Sequence, residues 1–185
     1  MACVFVITGP SGVGKGTLIG ELRNRVPEVE LSVSATTRDP RPGERDGSEY
    51  HFLSAEDFDR RVCEGEFLEW AEYSGNRYGT LRSEVERRAR GGTPVVLEIE
   101  VQGARQVRVT MPEAVRIFIE PPSPEVLRER LVGRGTDAAD VIERRLQEAR
   151  KELRAKEEFG HRVVNDDVDR AANELAGIVR SALDE

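Results

Sequence analysis

The chain has 185 residues, with 28 basic and 35 acidic side chains and a formal net charge of −7. That length can bury a substantial core and fits one domain carrying insertions, while the acidic balance excludes nonspecific binding to nucleic acid or an anionic membrane as its main business. Any anion site must be a local concentration of lysine and arginine.

The apolar run Cys3 to Ile7 reads as a buried strand, and Leu18, Ile19, Leu22 and Val26 follow with a helical period. Between them lies Gly9-Pro10-Ser11-Gly12-Val13-Gly14-Lys15-Gly16-Thr17. Glycines at 9, 12, 14 and 16 are expected to give turns closed to residues with a Cβ, so that successive amides converge on a polyphosphate. Lys15 adds a mobile charge, and the helix start that follows favours an anion. This is a phosphate-binding loop, and it points to a nucleoside triphosphate. The usual pattern has Ser or Thr after the lysine, to offer magnesium a hydroxyl; here Gly16 takes that place and Thr17 comes one residue late.

From Ser32 to Tyr73 the texture changes to turn chemistry at Pro40 to Gly43 and at Asp46-Gly47, with short alternating runs around Tyr50 to Leu53 and from Glu66 to Tyr73. A strand-rich insertion is expected. Arg38 and Arg41 stand three apart on a proline-stiffened loop, placed to clamp a second phosphate, because a guanidinium donates in pairs and does not titrate. Tyr50 and Tyr78 can add hydroxyl donors to that phosphate or be half-buried core tyrosines. A short helix, Phe58 to Cys63, is expected behind a cap at Ser54 and before Gly65.

Val95 to Ile99 is the next strand, ending in Leu97-Glu98-Ile99-Glu100. Residues two apart share a strand face, and ligands of open α/β sheets gather at carboxyl ends of strands. Glu98 and Glu100 should therefore stand beside the loop and hold magnesium, water or substrate hydroxyls. After a strand at Val115 to Ile119, a helix from Ser123-Pro124 to Leu131 breaks at Gly133-Arg134-Gly135 and resumes through Val141, Ile142, Leu146, Ala149 and Leu153, the make-up of a lid. Arg162 to Val164 is the last strand, and Val168 to Ala182 form the closing helix behind caps at Asp166 and Asp167. The alternation predicts a parallel sheet covered by helices. Cys3 and Cys63 show neither metal-ligand spacing nor a disulfide framework, so both are expected to be reduced and structural. The amino terminus enters the first strand directly and no long apolar span occurs, so a cytoplasmic protein without membrane segments is expected.

The chain resembles the bacterial guanylate kinases nearly end to end, through Gly9 to Lys15, Ser32 to Arg38, Gly65-Glu-Phe-Leu-Glu69-Trp, Tyr78-Gly-Thr80, Glu100-Val-Gln-Gly103, Gly133-Arg-Gly-Thr136 and Val164-Asn-Asp-Asp167. The resemblance implies a three-layer P-loop NTPase core with a parallel sheet (1–32, 83–122 and 155–185), a strand-rich GMP-binding insertion (33–82) and a helical lid (123–154). It also implies phosphoryl transfer from ATP to GMP with Mg2+, with dGMP a candidate second acceptor. On that basis Gly9 to Thr17 and Asn165 hold ATP, and Arg38, Arg41, Tyr50 and Tyr78 hold the GMP phosphate. Ser34, Glu69 and Thr80 read guanine, and Glu100 joins the acceptor set. Lys15, Arg38, Arg134 and Arg145 serve the transferring phosphates, and Thr17 and Glu98 serve magnesium, directly or through water. Guanine's adjacent ring N–H and amine suit a carboxylate that accepts both. Arg144, Arg150 and Arg154 are expected on a solvated face.

Two departures stand out. Gly-Lys-Gly-Thr is similar to the loop of adenylate kinases, and Glu98 and Glu100 replace the aspartates common in the family. The alternatives are accordingly another nucleoside monophosphate kinase, or a non-catalytic guanylate-kinase-like binding module; monomer and homo-oligomer are both compatible.

Overall fold

The computed structural model describes residues 4–73, 75–133 and 139–184. Cys3, and Arg134 and Gly135 of the expected lid break, lie outside them. In chain order, β1 (Val4–Thr8) leads through the glycine loop into α1 (Lys15–Arg25), followed by β2 (Glu30–Leu31), β3 (Ala35–Thr36), β4 (His51–Phe52), α2 (Ala55–Cys63), β5 (Phe67–Tyr73), β6 (Asn76–Leu81) and α3 (Arg82–Ala89). Next come β7 (Val95–Glu98), α4 (Val101–Thr110), β8 (Val115–Glu120), α5 (Pro124–Val132), α6 (Ala139–Leu153), a 3-10 turn (Arg154–Glu158), β9 (His161–Val164) and α7 (Val168–Leu183).

Two sheets organise these elements. The larger has the order β2-β7-β1-β8-β9 and every pairing in it is parallel. Its strands read as continuous apolar runs because helices cover both faces. Alternation then sorts the side chains: Phe5 and Ile7 pack with Leu18 and Leu22 of α1 and Leu175 of α7, while Val4 and Val6 pack with Val85 of α3 and Val101, Ala104 and Val107 of α4. This is the expected three-layer P-loop fold. The smaller sheet, β4-β3-β6-β5, pairs β6 antiparallel with both β3 and β5 and closes its own core with Phe58 of α2 and Phe67. Leu127, Leu131, Leu146 and Ala149 bind α5 to α6 in a further small cluster.

Several helix ends follow from local chemistry. Ser54, Ser123 and Asp167 cap α2, α5 and α7 by accepting from Asp57, Val126 and Arg170 N–H, and Pro124 opens α5 where its missing N–H costs nothing. By contrast α1 starts from Gly14 with no side-chain cap and no acidic residue in its first turn. Its leading amides are thus left for another acceptor. Cys63 is free, in keeping with the expected reduced thiol, but it is exposed at the end of α2 and takes no part in the core; the apolar face of that helix is carried by Phe58.

One buried acid ties the two sheets together where the chain leaves β2. Glu84 of α3, only 4% exposed, accepts from Arg87 at 2.8 Å, Arg88 at 2.6 Å and the backbone N–H of Val33 at 3.3 Å. His51 of β4 stands 3.7 Å away. Burial opposes the charge of Glu84, but the arginine and backbone hydrogen bonds outweigh it and hold its carboxyl down at about 2. Glu84→Ala is expected to cost about 1–3 kcal/mol, the range for removing a buried hydrogen-bonded acceptor, measured by urea unfolding. Because the folded value is depressed, Glu84 stabilises the fold above the ordinary carboxylate value of 4.5, and this is lost as the pH falls through about 2. Glu84→Gln should therefore differ from the parent at neutral pH and converge with it in acid.

Candidate active site

The parallel order places β1 between β7 and β8, so the loop after β1 opens at the carboxyl ends of three strands. Gly9, Gly12 and Gly14 adopt φ of 154°, 85° and 95°. A Cβ on Gly9 would lie 2.4 Å from the Ile119 carbonyl oxygen, and one on Gly14 would lie 2.7 Å from Asn165 Nδ2. Gly16 departs from the expectation: it is the second residue of α1, has no positive φ, and a Cβ there meets nothing within 4 Å. Three of the four glycines are thus demanded by the turn, and the fourth is open space beside Thr17.

Lys15 reaches back over the loop to donate to the Gly9 carbonyl at 2.5 Å and lies 3.9 Å from Glu100. Arg145 of α6 donates to Ser11 Oγ at 2.7 Å, so α6 touches the loop directly. From below, Asn165 donates to the Val13 carbonyl at 2.8 Å, and Arg130 donates to Val13 at 3.2 Å and to the Asn165 carbonyl at 2.8 Å. The buried Asn165 braces the loop, a role the sequence reading lacked, as did that of Arg130. Arg144, Arg150 and Arg154 are exposed as expected.

In front of the loop a cleft of about 420 Å³ separates the two sheets and is lined by Lys15, Ser34, Tyr50, Glu69, Tyr78, Gly79, Glu98, Glu100 and Gly103, among others. Of the second-phosphate group, Arg38 lies 5.3 Å from the Tyr50 ring, and Tyr50 and Tyr78 meet edge to face at 6.0 Å. Burial pushes the Tyr50 phenol up, so it remains a donor. Arg41 is exposed and joins through its backbone, which donates to Glu44 Oε2 at 2.8 Å. Glu44 also accepts from Arg38 Nη2 at 2.9 Å on each oxygen. Sequence reading missed Glu44; the signal was an acid three residues past Arg41 in a loop otherwise built to hold an anion.

Glu69 lies at the other wall, 5% exposed, and accepts from the buried Thr80 hydroxyl at 2.6 Å. Desolvation pushes its carboxyl up to about 7 against the Thr80 hydrogen bonds, which lower it. Glu98 is also raised, chiefly by loss of hydration between the cleft walls and further by Glu100, while Lys15 opposes the shift. Strand β7 ends at Glu98 and Glu100 is the N-cap of α4. The shared-strand-face argument therefore fails for Glu100, although both acids line the cleft. Burial, the Glu100 charge and a hydrogen bond to Glu100 push Glu152 of α6 well above the usual carboxylate range. Among the described residues no group of three or more His, Cys, Asp or Glu side chains is placed to hold a metal ion, and no helix is long and apolar enough to cross a membrane.

A parallel sheet with a phosphate loop after its first strand, facing a second sheet across a cleft, defines a P-loop nucleotide-binding α/β protein. Comparison with known proteins narrows this. The family model described as guanylate kinase matches residues 1–182. The guanylate kinase of Thermobifida fusca is 56% identical over 174 residues, covering 94% of this chain and 89% of that one. That of Synechococcus sp. strain CC9311 is 57% identical over 170 residues, 92% and 90% of the two chains. A crystal structure of guanylate kinase from Anaplasma phagocytophilum superposes with a TM-score of 0.78 at 33% identity, covering all of this chain and 87% of that one. The chain belongs to the guanylate kinase family.

The loop geometry separates its glycines by experiment. Gly14→Ala must place a Cβ at φ 95° against Asn165 and is expected to cost about 1–3 kcal/mol. Gly16→Ala, helical and unobstructed, is expected to be neutral or to stabilise by up to ~1 kcal/mol. Urea midpoints measured side by side check the ordering.

Proposed function

We propose that the chain transfers the γ-phosphoryl group of ATP to GMP, giving ADP and GDP. The observation that carries this is the buried Glu69–Thr80 pair at one end of a cleft whose other end is Lys15 and the phosphate loop. A desolvated carboxylate can accept from both the ring N–H and the amine of guanine. Adenine presents a bare ring nitrogen there, which would leave Glu69 repelled and unpaired. This disfavours another monophosphate kinase. The intact loop and Lys15 disfavour a non-catalytic binding module.

On this reading residues 33–82 receive the acceptor, 123–154 form the lid, and 1–32, 83–122 and 155–185 form the core. ATP lies along Gly9 to Thr17 with Asn165 beneath. Arg38, Arg41, Tyr50 and Tyr78 take the GMP phosphate, while Ser34, Glu69 and Thr80 take the base, with Glu100 beside them. The β,γ-bridging P–O bond breaks as a GMP phosphate oxygen bonds to phosphorus, with no carbon chemistry. The protein's task is to align the two oxygens and offset equatorial charge, served by Lys15, Arg38, Arg134 and Arg145. Magnesium, when bound to the phosphates, supplies further compensation for that charge. Oxygen donors of the right hardness are present in Glu98 and Thr17, but they are too few to form a cage, which suits an ion held largely by nucleotide oxygens and water.

Tested against GMP, dGMP, AMP, CMP and UMP with ATP and Mg2+, the protein should prefer guanine acceptors, and a preference for AMP would overturn the base assignment. Lys15→Ala should cut turnover by roughly 10²–10³-fold, the usual effect of removing one transition-state donor. The pH dependence has a definite sign. Below about 7 Glu69 is protonated in the free protein and cannot accept twice, so kcat/KM for GMP should fall on acidification by roughly tenfold per pH unit. The acceptor's own phosphate titrates near a pKa of about 6. Glu69→Gln therefore supplies the baseline profile, and the difference between the two isolates Glu69.

A further inference from the structure

Three residues of α4 lie on one face, at i, i+3 and i+7, and together they address three consecutive residues of the edge strand β5. Gly103 faces Glu69: a Cβ built on Gly103 would stand 2.4 Å from Glu69 Oε2 and 3.0 Å from its Cδ. Gln106 pairs with the backbone of Trp70, accepting from its N–H at 3.1 Å and donating to its carbonyl at 2.6 Å. Thr110 donates to the carbonyl of Leu68 at 2.9 Å. The residues before and after Glu69 are therefore pinned by α4 side chains, and its carboxylate rests where only a glycine leaves room.

The strand is irregular at this place. Its register with β6 slips between Phe67 and Glu69. Phe67 packs in the core of the small sheet while Leu68 packs in the core of the large one. A slipped edge strand has free backbone groups and uncertain side-chain direction unless something outside the sheet supplies both. Here α4 supplies hydrogen-bond partners for the outward Leu68 and Trp70 groups, in place of another strand.

We infer that the Gly103, Gln106 and Thr110 face of α4 is a positioning template that fixes the Glu69 carboxylate, and with it the choice of acceptor base. This deepens the acceptor reading above and rests on it. None of the three needs to touch the phosphates. They act through Glu69 and are positioning residues, with Gly103 alone at the cleft wall.

The template makes stability and function move in opposite directions, which a purely structural role would not. Ala is the better helix former than Gly, and the atoms that must yield to a new Cβ are the end of the Glu69 side chain. Gly103→Ala should therefore keep or raise the melting temperature while displacing the carboxylate. The expected kinetic result is a KM for GMP raised roughly 10–100-fold, the value of a lost charge-assisted hydrogen bond, with KM for ATP within about twofold of the parent. The preference for GMP over IMP, which lacks the 2-amine, should collapse towards that of Glu69→Ala. Gln106→Leu and Thr110→Val add no volume beside Glu69 and should move the same ratio in the same direction, Gln106→Leu by more. They read the face independently should Gly103→Ala fail to fold. An active parent whose three variants keep its KM for GMP and its GMP-to-IMP ratio overturns the template alone. A parent that phosphorylates no GMP overturns the acceptor reading and the template with it.

Discussion

An acidic chain that is to bind anions must keep the cations of its site from being neutralised at random, and here three of them among the described residues are held on an oxygen of the protein. Lys15 sits on the Gly9 carbonyl with Glu100 behind it, Arg38 on Glu44, and Arg145 on Ser11. Withdrawing a charge from water is costly unless it is paired and hydrogen-bonded, so these pairings carry much of the desolvation cost before any nucleotide arrives. A phosphate then exchanges with an oxygen already in place, and does not have to strip a hydrated side chain. Glu44 matters most in this respect. By holding Arg38 and the Arg41 backbone together, it gives the exposed, proline-stiffened loop one geometry, at the cost of an anion that an incoming phosphate would have to displace or share.

The same constraint explains why the two sheets are not independent. Strand β5 sends Phe67 into one core and Leu68 into the other, and Glu84 collects the Val33 amide and two arginines at the chain's passage out of β2. The cleft walls are thus joined near Glu84 and Leu68, while the Arg38 to Gly43 loop is largely exposed. On the proposed reading, base recognition is built on the buried junction and phosphate recognition on the exposed rim. That division suits the chemistry, because discrimination between bases depends on fixed donors and acceptors, whereas phosphate tolerates a range of guanidinium approaches.

What could be read from the sequence was whatever a short window encodes. The phosphate loop declares itself because φ restrictions and amide convergence are local, and the parallel sheet because continuous apolar strands have few other uses. Ser54 and Asp167 were legible as caps for the same reason. Gly16 was misassigned since spacing alone does not say where the turn ends and the helix begins; α1 starts at Lys15, two residues earlier than four demanded glycines would need. Glu100 was placed on a strand face when the strand had already stopped at Glu98. Gly103, Gln106 and Thr110 carried no signal of their use, because their partners lie more than thirty residues away on β5 and depend on a register slip that no pattern in the strand announces. Glu44 is intermediate: its spacing from Arg38 and Arg41 was visible, but an exposed acid beside arginines has an ordinary surface reading.

On the proposed reading, Glu69 contributes to the choice of base through its own lack of hydrogen-bond partners. Its carboxyl is buried, raised by desolvation and supported by one residue, Thr80, through its hydroxyl and its backbone. In the absence of an acceptor the group is therefore poorly satisfied and closer to protonation than a surface glutamate. A base with two adjacent N–H donors relieves this by supplying the missing hydrogen bonds and favouring the ionised form, so part of the discrimination comes from the protein's own discomfort without guanine. Any change that lets water or a protein donor reach Glu69 would stabilise the empty site and weaken that preference together. Gly103 and the α4 face act in the opposite sense, since they keep the carboxylate in the one place where neither relief is available.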